Sequence, residues 1–269
     1  MKKFTALLMS LALAAALAGC GSSEGGNETS AAAATSAAAE TSEEAAKDSN
    51  AAEVSSADED VKSDGVMTYE EYVAAELDTE VVIETYVQAK QSWWKDTATI
   101  YTQDYDGAYF IYNMACSEEE YDKLAIGTKI KVTGFKSEWS GEVEIIDATF
   151  ELEEGSYIAE AEDVTALLGT DELIDNQNKF VAFKGMTVEA AGQDADGNDL
   201  AYLYSWDGSG QDGDDLYFNV SLDGETYTFT VESYLCDNTT DVYAAVKSLN
   251  IGDKIDLEGF LYWYEGCLL

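Results

Sequence analysis

Nine aromatic side chains stand out for what they could do together. Trp93 and Trp94 are consecutive, Tyr101 and Tyr109 follow closely, and Trp139, Trp206, Tyr217, Tyr262 and Trp263 recur near turn residues. Such rings bind through flat faces and polar edges, which suits a neutral sugar or a partner protein. A consecutive pair in a strand points to opposite faces, so one of Trp93 and Trp94 is expected to be exposed. A second candidate is the acidic run from Asp194 to Asp199, where Asp194, Asp196 and Asn198 could offer oxygens to calcium. A helix–loop–helix calcium loop wants glycine sixth and glutamate twelfth. Here Gly197 is fourth and Ser205 twelfth, so a hairpin turn competes with the metal.

Composition removes several chemistries. The 269 residues include no histidine, arginine or proline, and 14 lysines face 54 acidic residues for a net charge of −40. Without imidazole there is no Ser-His-Asp or Cys-His catalysis. Without a basic stripe, nucleic acid is repelled rather than bound. Cys116 and Cys236 are expected as small buried thiols, and no cofactor is expected.

These residues must be positioned by sheet. Thr68-Tyr69-Glu70-Glu71 is a capping box opening a short helix to about Leu77. Alternation predicts strands over Val81–Ala89, Thr97–Thr102 and Ala108–Met114, the last two joined by a turn at Gln103–Gly107. Ser117 caps a second helix to Leu124, followed by strands over Lys129–Lys136 and Glu142–Leu152. A repeat then shows itself. Ile126-Gly127-Thr128-Lys129-Ile130 returns as Ile251-Gly252-Asp253-Lys254-Ile255, each leading to a Gly-Phe pair, Gly134-Phe135 and Gly259-Phe260. Trp139 precedes Gly141 as Tyr264 precedes Gly266, and Val81–Ala89 parallels Val181–Ala190.

Three strands, a helix and two strands is the element order of the OB-fold, which the chain resembles twice over. The expectation is a mainly β protein with short helices: two five-stranded OB-like barrels in tandem, residues 66–155 and 156–269, the second short of its last strand. The resemblance also implies that strands two and three, carrying Tyr101 and Tyr109, form a ligand face. An acidic insertion, Gly192–Asp215, separates strands of the second unit.

The N-terminus has a basic start, Lys2-Lys3, an apolar stretch from Phe4 to Leu17, then Leu17-Ala18-Gly19-Cys20. That run resembles a lipobox, which implies a signal peptide over 1–19 and an acylated Cys20 holding the chain to the lipid membrane. Residues 20–65 are rich in Ala, Ser and Glu, have no aromatic residue, and read as a disordered tether. As a coil, the 45 residues from Gly21 to Gly65 span roughly 35–40 Å. Taken together, the chain resembles tandem OB-like lipoproteins of Gram-positive bacteria. The expected role is a non-enzymatic, extracytoplasmic binding module on the outer face of the cytoplasmic membrane, taking a neutral glycan or a protein. A transporter's solute-binding lipoprotein and a two-carboxylate glycosidase are the alternatives.

Overall fold

The computed structural model describes residues 9–11, 62–264 and 267–268. Cys20, most of the expected tether and most of the expected export signal lie outside these residues; residues 62–65, expected in the tether, are instead held on the barrel, where Lys62 Nζ pairs with the buried Asp104 Oδ2 at 2.8 Å. The described part is mainly β-sheet with a few short helices. Strand β1 is Met9–Leu11, taken up with the second half below.

Helix α1, Tyr69–Ala74, begins as its capping box dictates. Thr68 Oγ1 accepts from the Glu71 N–H at 3.2 Å, and the Glu71 carboxylate accepts from the Thr68 N–H at 2.9 Å. Its far end is closed by a lysine from a distant strand. Lys136 Nζ donates to the carbonyls of Tyr72, Val73 and Ala75 at 2.8–3.0 Å, satisfying groups that a helix end leaves open. Burial pushes the Lys136 ammonium below its ordinary pKa. Helix α2, Glu118–Tyr121, has the same reciprocal cap at Ser117 but stops earlier than the sequence suggests. After Tyr121 the N–H groups of Lys123 and Leu124 bond three residues back, tightening the turn and ending the α-helix.

Strands β2 (Glu80–Lys90), β3 (Thr97–Gln103), β4 (Ala108–Ala115), β5 (Thr128–Trp139) and β6 (Glu142–Ser156) close a barrel in the order β2-β3-β4-β6-β5, with β4 and β6 parallel. This is an OB-like barrel. Val81, Ile83, Ile100, Tyr109, Ile111, Val132 and Ile145 fill it. Gly134 is the point where β5 passes β6: a Cβ there would stand 2.7 Å from Ile145 Cγ2 and 2.8 Å from the Ile146 carbonyl. Only glycine allows that approach.

The second half contains β7 (Glu162–Asp163), β8 (Phe180–Glu189), β9 (Gly192–Gln193), β10 (Asp199–Leu200), β11 (Tyr202–Tyr204), β12 (Leu216–Leu222), β13 (Glu225–Val231), α3 (Asp241–Lys247), β14 (Lys254–Leu261), β15 (Trp263–Tyr264) and β16 (Cys267–Leu268). The repeat seen in the sequence is kept in register. Val81 pairs with Gly134 in the barrel, and Val181 pairs with Gly259 in the second half. The second half is nevertheless an open sheet, β1-β14-β8-β12-β11 with β13 on β12, rather than a closed barrel. The edge of β14 away from β8 is taken by Met9–Leu11, and among the described residues no strand pairs with both β14 and β13 to close a second barrel.

The halves meet on the outer face of β3 and β4. Tyr101 stacks on Phe260, with ring centroids 4.6 Å apart, and Phe110 meets Tyr262 edge-on at 5.4 Å. Beside this seam, the Glu142 side chain is fully buried. Its Oε2 accepts from the Trp263 N–H at 2.8 Å and from Gln177 Nε2 at 2.9 Å. Glu142 Oε1 and Asn178 Oδ1 are left as buried acceptors with no donor. Burial pushes the Glu142 pKa up to about 8, with the Glu144 charge adding to the shift and the bonds from Trp263 and Gln177 opposing it.

The folded state therefore keeps a proton that the unfolded chain releases near its ordinary value of 4.5. Stability from this group is complete below about 4.5 and lost as pH rises toward about 8, with a slope approaching about 1.4 kcal/mol per pH unit. In urea unfolding across that window, Glu142→Gln is expected to flatten the decline seen in the parent chain.

Candidate binding cleft

The hairpin between β2 and β3 builds a ledge. The Ser92 N–H donates to the Tyr234 carbonyl at 2.8 Å, tying it to the second half. Trp93 Nε1 donates to the Cys116 carbonyl at 2.9 Å, so one tryptophan is pinned and half-buried. Trp94 and Thr97 bridge across a two-residue turn in which Lys95 and Asp96 have φ of +48° and +61°. Positive φ at both central residues is the hairpin geometry whose twist matches the strands. It carries Trp94 outward, 66% exposed, with Lys95 Nζ 4.8 Å from its ring centroid.

Opposite the ledge, β4 carries a bulge. The β3–β4 register jumps between the pairs Ile100↔Ile111 and Ala98↔Met114, leaving Tyr112 and Asn113 against Thr99 alone. Asn113 takes φ +49° and its N–H donates to Thr99 Oγ1 at 3.1 Å. Bulges re-aim side chains, and this one leaves Tyr112 45% exposed. Tyr234, 69% exposed, completes the wall from the second half.

Together these residues line a cleft of about 570 Å³ with Gln91, Ser92, Thr97 and Thr99. None of its nine lining side chains is a carboxylate or an ammonium, on a chain of net charge −40. Four aromatic rings and a set of amides and hydroxyls remain. Such a lining presents stacking faces to apolar C–H surfaces and neutral donors and acceptors to hydroxyls. A separate cavity of about 420 Å³ at the seam, lined by Ile126, Ile158, Phe180, Leu235 and Phe260, is almost wholly apolar. Its polar neighbours are engaged elsewhere: Lys90 Nζ donates to the Tyr121 carbonyl and Gln88 Nε2 to the carbonyls of Tyr86 and Tyr157.

The other aromatics singled out in the sequence do not join the cleft. Tyr101 and Tyr109 were expected on one ligand face, but they lie on opposite sides of the sheet. Tyr101 pairs with Phe110 and is covered by Phe260, whereas Tyr109 pairs with Thr102 and points into the barrel. There its hydroxyl donates to Asp104 Oδ2 at 3.0 Å. Trp139 tilts against Tyr264 at 5.0 Å, Tyr262 is in the seam, and Trp263 packs on the core of the second half. Tyr217 is half-buried on β12, its pKa pushed up to about 12 chiefly by burial. Trp206 is exposed on a loop of its own. The cleft instead recruits Tyr112, Asn113 and Tyr234, none of which drew notice in the sequence.

In the acidic loop, Asp194 Oδ1 accepts the N–H groups of Asp196 and Asn198, and its Oδ2 accepts from Asn198 Nδ2. This is a side-chain-braced hairpin turn. Among the described residues no three metal-capable side chains converge. Cys116 and Cys236 are both thiols, pushed up to about 11 mainly by burial, and so poor nucleophiles at neutral pH. The bulge generates a test. A β-branched residue tolerates positive φ poorly, so Asn113→Val should cost about 1–3 kcal/mol, while Asn113→Gly should be near neutral in thermal melts.

The chain matches no protein-family model and no curated sequence. Among solved structures it is similar, at TM-score 0.33 and 10% identity, to a chain described as "Structural mimicry for functional antagonism", covering 71% of this chain and 85% of that one. A second neighbour is the Ifi202 HINa domain in complex with 20-bp double-stranded DNA, at TM-score 0.30 and 10% identity, covering 57% of this chain and 74% of that one. These likenesses carry nothing about ligand or role; the OB-like assignment rests on the strand order of the barrel itself.

Proposed function

We propose that this chain is a non-enzymatic binding module for a neutral glycan, displayed outside the cell on a lipid anchor, and built from two OB-like units of which the second is an open variant of the first. The observation that carries the ligand class is the uncharged aromatic cleft of Trp93, Trp94, Tyr112 and Tyr234. A chain so acidic disfavours anionic ligands everywhere, and none of the nine lining side chains offers a cation a carboxylate. Stacking rings with neutral hydrogen-bonding groups leave an uncharged polyhydroxyl ligand as the best match. The lining also lacks the paired carboxylates that glycoside hydrolysis requires, which favours binding over turnover. Short helices and sheet, rather than two α/β lobes, favour a display module over a transporter's solute-binding protein.

The anchor reading rests on Leu17-Ala18-Gly19-Cys20, with residues 21–61 as the spacer. Two or more acyl chains on Cys20 would hold the module at the membrane surface, whereas a single chain binds only marginally. No helix among the described residues is long and apolar enough to cross a membrane.

Two outcomes are expected. On a neutral-glycan array followed by calorimetry on the best hit, Trp94→Ala should weaken binding at least about tenfold, or about 1.4 kcal/mol, with the circular dichroism spectrum unchanged. Equal affinity in the variant would remove the cleft from the account. In cells fed labelled palmitate, Cys20→Ala should lose the label and leave the membrane fraction.

A further inference from the structure

We propose that the edge of β14 away from β8 is a strand-accepting seat, and that its occupant is an extended segment, apolar at alternate positions, added antiparallel to β14. Met9–Leu11 shows how the seat is filled. Met9 stands opposite Leu261, Ser10 opposite Phe260 and Leu11 opposite Gly259. On its other side β14 is already committed: the Leu261 N–H donates to the Lys179 carbonyl, and the Leu261 carbonyl accepts from the Asn178 N–H. Because neighbouring residues of a strand direct these groups to opposite edges, the N–H and C=O of Phe260 face Ser10.

The barrel supplies the template for what belongs there. Phe135, the repeat partner of Phe260, pairs with Ile146 of β6, and β6 also pairs with β4. Strand β1 likewise lies between β14 and β13, the counterpart of β4. The hairpins agree as well: Trp139 pairs with Glu142 across two residues, and Tyr264 pairs with Cys267 across two residues. Strand β16 thus starts along the edge that β1 continues, in the same direction, two rows further on. Among the described residues, β1 pairs with Gly259–Leu261 of an edge that runs from Lys254 to Leu261, and a longer strand added there would pair with more of it. The seat stands independently of the anchor reading; that processing before Cys20 would empty it rests on that reading.

The test uses the full chain, uncleaved. Proline at position 10 has no N–H for the Phe260 carbonyl, so Ser10→Pro should speed hydrogen exchange at the Phe260 amide at least about tenfold; Ser10→Ala, which keeps its N–H, should not. A synthetic peptide of the barrel's own closing strand, Glu142–Glu151, should then bind the Ser10→Pro chain, restore protection at Phe260, and leave the parent chain unaffected. A Phe260 amide that exchanges equally in all three chains would overturn the proposal. So would a scrambled peptide that protects as well as the ordered one. Glycan binding at Trp94 is a separate readout and moves with neither result.

Discussion

A carboxyl group without water decides how the two halves hold together. Glu142 sits at the first residue of the strand that closes the barrel, yet the group it accepts from is the Trp263 N–H of the other half. Desolvating that side chain is costly unless it is protonated or fully bonded, so the surrounding polar groups, Gln177 and Asn178 among them, are fixed by it. With the seam fixed there, the aromatic contacts beside it follow, because Phe260 must lie on Tyr101 for Trp263 to reach Glu142. The cleft depends on the same docking. Tyr234 belongs to the second half, and only the seam brings it opposite Trp94. Cleft and junction are therefore one construction, and a change that loosens the seam would also open the cleft.

The barrel's outer sheet face illustrates how an OB-like scaffold can be redirected. The face of β3 and β4 is the one such folds commonly offer to oligonucleotides and oligosaccharides. Here it is spent on Phe260, Tyr262 and Phe180. Exposed rings gather instead at the end of the barrel, where the β2–β3 turn and the β4 bulge project. Burying one apolar face and moving the wet aromatics to a rim follows from the size of the chain: two small sheets gain stability by sharing a core.

Much of the fold could be read from residue order, because alternation and glycine placement act locally. The capping boxes at Thr68 and Ser117, the five strands of the barrel and the shared register at Gly134 and Gly259 all follow from short-range physics. Faces were harder. Tyr101 and Tyr109 are both aromatic, and both sit in strands two and three, but a one-residue difference in pairing puts them on opposite sides. Asn113 was the missed clue. Nothing local announces a bulge, yet an Asn in an alternating strand is one of the few residues suited to positive φ. Tyr234 was out of reach, since its role exists only after the halves dock. The second barrel failed to close for a similarly nonlocal reason: the strand on the β14 edge comes from the opposite end of the sequence.

Trp139 and Tyr264 hold the same position in the two copies of the repeat, and they touch each other. Equivalent positions in direct contact couple the two hairpin ends, so substitutions at Trp139 and Tyr264 cannot act independently on stability.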